Sequence, residues 1–297
     1  MSTTDPEDQR VASREMWETA AGGWGNRADR IREWGMPVSV TMVDALALQP
    51  GQRVLELAAG PGDTGFMAAE LIQPGGILIS SDGAEAMVAV ARERAKAAGI
   101  ANVEFRELEL EWIDLEAASV DAVLCRWGIM LIVDPATAAR EIRRVLRPSG
   151  RAAFAVWDLA ERNPWATIPG RAMIELGHSQ PPDPNAPGMF TLADDGALQE
   201  LLESAGFTDV TIRPVPVERH YGELDRYIEE TVDMSPIFSE TFKELSADAQ
   251  VQARARVAAR EALGRIRGRQ QTPASHSAPE SRSYALRIRS VGAMSSA

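Results

Sequence analysis

Val54-Leu55-Glu56-Leu57-Ala58-Ala59-Gly60-Pro61-Gly62-Asp63-Thr64-Gly65 is the stretch that decides the fold. Its first five residues suit a buried strand, its glycines fall in a Gly60-x-Gly62-x-x-Gly65 pattern, and the 66–72 segment that follows reads as a helix. A strand, a tight glycine turn and a helix N-terminus set backbone N–H groups around a ligand that approaches the main chain closely. Glu56 stands inside the strand, four residues before the first glycine. Charged groups are seldom fully buried unless paired. A carboxylate at this point suits a ligand with positive charge better than a pyrophosphate, which it would repel.

Outward from this turn, residues 53–158 alternate strand and helix signals with short connections, the pattern of a parallel α/β sheet. Strands are expected at 53–58, 77–81, 103–108, 122–125 and 152–157, and helices at 64–72, 84–98 and 136–146. The last helix opens on Asp134-Pro135, an N-cap with proline at the first helical position, and closes at Arg147-Pro148-Ser149-Gly150. Residues 1–50 read as a helical lid containing Trp17, Trp24 and Trp34, with Gly22-Gly23 and Gly25 expected to interrupt it. The core unit is placed at 51–222, including a proline- and glycine-rich loop at 163–190. Within it, a helix at 192–205 and a strand at 210–217 follow that loop. Helices at 224–234 and 240–263 form an insertion at 223–263. Residues 264–297 read as a disordered tail with one candidate strand at 284–289.

Composition narrows the function classes. The chain has 297 residues, 45% of them apolar and 25% charged, which is ordinary for a globular protein. The net charge of −12 argues against a nucleic-acid partner, whose binding needs a basic face. No apolar run reaches membrane-spanning length, and the N-terminus is polar and acidic. The single cysteine, Cys125, lies in an apolar run and fits a buried thiol in a reducing cytoplasm. A homodimer is compatible with all of this, and no metal-ligand cluster stands out.

The ordered set of motifs resembles the class I S-adenosylmethionine (SAM)-dependent methyltransferases, in the small-molecule branch that includes the quinone methyltransferases. Leu55-Glu56-Leu57-Ala58-Ala59-Gly60-Pro61-Gly62 matches the first motif of that family. Asp82 in Ser81-Asp82-Gly83-Ala84-Glu85-Ala86-Met87 matches the acid that binds the ribose hydroxyls. Val120-Asp121-Ala122-Val123-Leu124-Cys125 and Arg144-Val145-Leu146-Arg147-Pro148-Ser149-Gly150 match the fourth strand and the turn before the fifth. Glu109-Leu110 stands where the family has an Asp-Ala pair that receives the adenine amino group, with Glu107 and Glu111 nearby. The resemblance implies a Rossmann-like, doubly wound, mostly parallel seven-stranded sheet, an N-terminal helical lid and a C-terminal helical insertion.

It also implies SAM as cofactor. Glu56, Ala58, Gly60, Gly62, Asp82, Gly83, Met87, Glu109, Leu110 and Arg126 are expected around it, with Trp24 on the lid. Glu56 either anchors the cofactor ammonium or holds the glycine loop. Ligands in such sheets bind beyond the carboxyl ends of the strands. Trp127, Met130, Trp157, Trp165 and Phe190 are therefore expected to line an apolar acceptor pocket. The catalytic candidates are Arg126 and His178, the latter a base that titrates near neutral pH. The expected acceptor is a small hydrophobic phenol, quinone or polyketide-like metabolite, methylated on oxygen or carbon. Two other readings stay open: a SAM-binding protein without catalysis, and an NAD(P)-dependent oxidoreductase, since an acid at Asp82 suits a nicotinamide site equally well.

Overall fold

The computed structural model describes residues 5–183, 186–221, 223–269 and 283–292. Two long helices, α1 (Pro6–Asn26) and α2 (Ala28–Leu46), precede the sheet. The sheet opens with β1 (Arg53–Leu57), followed by α3 (Asp63–Leu71), β2 (Ile77–Asp82), α4 (Glu85–Ala98) and β3 (Val103–Glu107). Then come β4 (Val120–Arg126), α5 (Pro135–Val145) and β5 (Leu146–Trp157). These five strands form a parallel, Rossmann-like core in the order β3-β2-β1-β4-β5. Beyond β5 the chain continues through α6 (Pro164–Glu175), α7 (Asp195–Ser204), β6 (Thr211–His220), α8 (Leu224–Met234), α9 (Pro236–Glu244) and α10 (Ala247–Arg269) to β7 (Ser283–Gly292). The last strand pairs antiparallel with both β5 and β6, so the antiparallel pair is added at the β5 edge of the parallel core.

The strand order reverses between β1 and β4, and a crevice at such a switch point is the ligand-binding place of open α/β sheets. Central strands buried on both faces read as continuous apolar runs. Val54, Leu55 and Leu57 of β1 and Ala122 to Cys125 of β4 are buried accordingly. Ile31, Trp34, Val38, Met42 and Leu46 recur at helical spacing along α2 and bury that face against the β4, β5, β6 and β7 side of the sheet. Asp134 caps α5 by accepting from Thr137 N–H at 2.9 Å, and Pro135 occupies the first turn as its sequence requires. None of the described helices is long and apolar enough to cross a membrane.

The structure corrects five readings of the sequence. First, α1 runs unbroken through Gly22, Gly23 and Gly25. Glycine is poor in a helix interior, yet Gly23 and Gly25 mark where the helix is approached. A Cβ on Gly23 would overlap the Asp233 carbonyl of α8, and one on Gly25 would press on Val90 of α4 at 3.2 Å. Second, the 163–190 segment is not all loop, because α6 occupies its first half, with Pro164 in its first turn. Third, the 240–263 helix is two helices, broken between Glu244 and Ala247, where the Ser246 hydroxyl accepts from Ala249 N–H at 3.3 Å as the cap of α10. Fourth, helix α10 extends to Arg269, into the segment expected to be disordered, while 270–282 and 293–297 lie outside the described residues. β5 also starts earlier than 152: Leu146 pairs with Val120, and the ladder shifts register around Arg147-Pro148-Ser149-Gly150 before Arg151 meets Ala122.

The α1–α8 approach is testable. Gly23→Ala should destabilise the protein by about 1–3 kcal/mol, the usual cost of forcing extra volume into a packed contact. Urea unfolding measures the shift, and faster tryptic cleavage within α1 under native conditions should accompany it. An unchanged urea midpoint would mean that α1 and α8 pass each other more loosely than described.

Candidate functional site

Glu56 organises the glycine turn. Its side chain is buried, with Oε1 accepting from Gly65 N–H at 2.7 Å and Oε2 from Ser80 Oγ at 3.2 Å. A Cβ on Gly65 would overlap this carboxylate, so the third glycine of the motif is demanded by the glutamate. Gly62, at φ 89°, lies under the Phe66 ring and leaves no room for a side chain either. Above Gly60, at φ 53°, there is nothing within 4 Å, so its main chain faces open space. Arg94 of α4 ties the turn from outside, donating to Pro61 O at 2.7 Å and to Asp63 Oδ1 at 2.9 Å. Burial pushes the Glu56 carboxyl up to about 8, against the Gly65 N–H, the Arg126 charge and the Ser80 hydroxyl, which all favour its ionised form.

Asp82 closes the second strand beside this turn. It is half-buried and accepts from Gly60 N–H at 2.9 Å and Ala84 N–H at 3.1 Å. Burial raises it to about 6, opposed by those N–H groups and reinforced by Glu109. Glu109 reaches to within 3.1 Å of the Cβ position of Gly83, so the two acids flank the start of α4. Helix α1 lies across this end. Its Glu18 accepts from Glu85 N–H at 2.6 Å and Ala86 N–H at 3.0 Å, filling donors that Ala84 at the N-cap leaves open. Arg14 and Arg10 of the same helix hold Glu109 at 2.9 Å and Glu111 at 2.9 Å. Gly128, just past β4, sits where a Cβ would overlap Ala58 and come within 3.7 Å of Leu110, so the ends of β1, β3 and β4 converge there.

On the other side of β4 stands a stack of tryptophans. Trp127 lies 5.1 Å from Trp34 and 4.8 Å from Trp157, both stacked, and Trp157 meets Trp165 edge-on at 5.1 Å. Trp127 holds φ at 65°, a left-handed conformation that costs a bulky residue about 1–3 kcal/mol and clusters at functional sites. The Arg126 guanidinium rests 4.4 Å over the Trp127 ring. Burial lowers its pKa, while Asp63 and Glu56 hold it up. It stays protonated at working pH and so serves as a fixed charge and not as a base. Against the same stack, Arg219 of β6 is buried, with its guanidinium carbon 4.0 Å from Trp165 and 4.4 Å from Trp34.

The expected residues thus fall into two adjoining groups. Glu56, Ala58, Gly60, Gly62, Asp82, Gly83, Glu109 and Leu110 meet at the ends of β1, β2, β3 and β4, and Met87 is buried against α1 with Trp24 and Trp17 nearby. The Trp24 indole donates to Met234 O at 3.1 Å, so this lid residue fastens α1 to α8. Trp127 and Trp157 of the stack are buried in the same main core as Met130, and Trp165 and Phe190 pack against its margin. His178 lies past the end of α6, where its main-chain N–H donates to Met173 O at 2.9 Å, and no hydrogen bond described there orients its ring. Cys125 is fully buried, and burial pushes its thiol up to about 12, as suits plain packing. Glu18, Arg94 and Arg219 are site residues that sequence reasoning missed. Only Arg219 carried a signal: in Val215-x-Val217-x-Arg219-x-Tyr221 it falls on the apolar face of an alternating strand.

Known proteins match this geometry. The family model described as "Methyltransferase domain" matches residues 48–206, more than half of the chain. The ubiquinone/menaquinone biosynthesis C-methyltransferase UbiE of Cellvibrio japonicus is 30% identical over 110 residues, covering 37% of this chain and 44% of that protein. The nocamycin O-methyltransferase of Saccharothrix syringae is 29% identical over 188 residues, covering 60% and 67%. Among solved structures, the YcgJ protein of Bacillus subtilis superposes with a TM-score of 0.54 at 16% identity, over 86% of this chain and 97% of that one, a likeness of fold. The chain spans less than half the length of several curated relatives that it matches, 45%, 40% and 44% of three of them.

The Glu56 environment predicts a pH dependence. Its carboxyl titrates near 4.5 when unfolded and at about 8 when folded, so between those values the folded chain keeps a proton that the unfolded chain has lost. Its contribution to stability is therefore lost as pH rises through that window. Glu56→Gln, which keeps an acceptor for Gly65 N–H, should flatten this decline. Urea midpoints at several pH values from 5 to 8 check it, and parallel slopes for the two proteins would count against the assignment.

Proposed function

The chain belongs to the methyltransferase domain family, and we propose that it transfers a methyl group from SAM to a small, hydrophobic, ring-bearing metabolite. The observation that carries this reading is the meeting of two unlike features at the switch point between β1 and β4. One is the open main chain at Gly60 beside the half-buried Asp82, and the other is the tryptophan stack beginning at Trp127.

The residues present fit the cofactor. Gly60 leaves its main chain uncovered, Asp82 keeps a carboxylate at the rim, and the Glu109–Leu110 segment flanks Gly83. In this reading Asp82 holds the ribose hydroxyls, the 58–62 turn carries the amino-acid moiety, and Glu109, Leu110, Gly83 and Met87 surround the adenine. When bound, SAM supplies a methyl group on a sulfonium, a donor reactive enough that the protein contributes chiefly proximity and orientation, worth roughly 7–11 kcal/mol. Arg126 adds a fixed positive charge between turn and stack. For Glu56 the contacts support the second of its two alternatives, holding the loop, since its oxygens accept from Gly65 N–H and Ser80 Oγ.

The tryptophan stack supports a flat, apolar acceptor, because indole faces bind planar rings by offset stacking. Helix α1, tied to the turn side by Glu18, Arg14 and Arg10 and to α8 by Trp24 and Arg27, supports the lid reading. Carbon and oxygen acceptors both fit this surface.

Transfer of tritium from methyl-labelled SAM into a library of aromatic metabolites tests the activity. SAM binding without transfer to any member would leave a binding protein, and binding of NAD(H) in its place an oxidoreductase. Asp82→Ala should weaken SAM binding by roughly 10- to 100-fold, the scale of hydrogen bonds lost from a charged group. Calorimetric titration reads it, and unchanged affinity would remove Asp82 from the ribose.

A further inference from the structure

We propose that Arg219 anchors an anionic oxygen of the acceptor, so that the substrate is a planar conjugated molecule bearing a carboxylate or an ionised hydroxyl. The proposal rests on the methyltransferase reading for the word acceptor and on separate observations for its chemistry. Arg219 is only 2% exposed; its Nη2 reaches Met234 Sδ at 4.0 Å, while its Nε and Nη1 have no hydrogen-bond partner among the described residues. Buried guanidinium donors are normally paired, since an unpaired one forfeits its hydration without return. The guanidinium carbon is flanked by the Trp165 and Trp34 rings, at 4.0 and 4.4 Å, with Tyr221 at 5.0 Å. The two indole centroids are 6.5 Å apart and tilted 48° to each other, so they meet the guanidinium from adjoining sides and leave the in-plane N–H groups of Nε and Nη1 uncovered by any acceptor among the described residues.

The ion-pair arithmetic points the same way. Glu230, itself buried, is the acid shared by three arginines: Arg30 at 3.2 Å, Arg226 at 3.5 Å and Arg219 at 3.6 Å. Arg30 has Glu33 at 2.7 Å as well, and Arg226 is half in solvent, but Arg219 has neither relief. Burial lowers its pKa, yet a guanidinium cannot shed its proton, so the surplus charge stays. The indole N–H groups of Trp34 and Trp127 are buried and unpartnered too. Four donor nitrogens on one aromatic cluster thus lack acceptors. Glu230 Oε2, the one acceptor there without a hydrogen bond, faces Arg219 as its ion-pair partner. A ligand that meets this surface is flat, to lie along the indoles, and brings acceptor oxygens with negative charge.

The test uses the full-length protein saturated with S-adenosylhomocysteine and two probe pairs, benzoate with benzamide and 2-naphthoate with 2-naphthamide, titrated by calorimetry. The acid of at least one pair should bind tenfold or more tightly than its amide. Arg219→Met should abolish that difference while leaving S-adenosylhomocysteine affinity unchanged. Glu230→Gln, which frees the guanidinium without removing it, should strengthen binding of the acid several-fold, and it serves where the Arg219 variant does not fold. Equal binding of acid and amide, binding of neither, or an acid preference that survives Arg219→Met would overturn the proposal. Failure of S-adenosylhomocysteine to bind would instead strike the methyltransferase reading, and the acid preference would still be read in its absence.

Discussion

The carboxylate of Glu56, buried in the first strand, is the constraint around which the rest of the molecule is arranged. It is taken out of water and can be kept only where donors meet it, and those donors come from Gly65 at the head of α3 and Ser80 in β2. One side chain thereby joins strand, turn, helix and neighbouring strand. Its second oxygen excludes any side chain at Gly65, and Phe66 excludes one at Gly62, so the glycine pattern follows from packing as much as from a ligand. The open position is Gly60, where no neighbour fills the space a Cβ would take. The three glycines therefore have different causes, and only the first faces the site.

Around that turn the site is assembled from distant parts of the chain. Helix α1 supplies Glu18 to the N-terminus of α4 and two arginines to the acids after β3, and through Trp24 and Arg27 it grips the end of α8. Helix α2 supplies Trp34, which stacks on Trp127 and lies over Arg219 from β6. Tyr227 of α8 donates to the Trp165 carbonyl of α6, closing the far wall. The parallel core positions the turn, while the aromatic face is built by segments before and after it. In the proposed reading, such a division would let acceptor preference change through α2, α6, β6 and α8 without disturbing the turn.

What the sequence made legible follows from how local each cause is. The β1–turn–α3 unit, Asp82 and the α5 cap were readable because strand composition, glycine spacing and an Asp-Pro start act within a few residues. Continuity of α1 was not, because Gly23 and Gly25 are explained by Asp233 and Val90, partners that a local reading does not bring near. Helix α6 was hidden by the prolines and glycines around it, although Pro164 at its first turn is tolerated there. Glu18 as the cap of α4 was beyond reach for the same reason as α1, since Ala84 offers no local signal. Arg219 was within reach: the alternation from Val215 to Tyr221 places it inward, and an inward arginine asks for an explanation.

The two halves of the site answer buried charge in opposite ways, and the difference lies in the chemistry of the groups. A carboxyl deprived of water can take up a proton, as Glu56 does when burial moves it to about 8, and so remain stable with or without a cation nearby. A guanidinium has no such exit. Arg219 must keep its charge at any working pH, and its share of Glu230 is divided with Arg30 and Arg226. Aromatic faces soften the cost by offering their negative quadrupoles to the cation, as Trp34 and Trp165 do. They meet the π-face of the cation and not its N–H groups, which point outward in the guanidinium plane. The turn side of this molecule can therefore rest without a partner, whereas the aromatic side holds a fixed charge and directed donors that find no acceptor among the described residues.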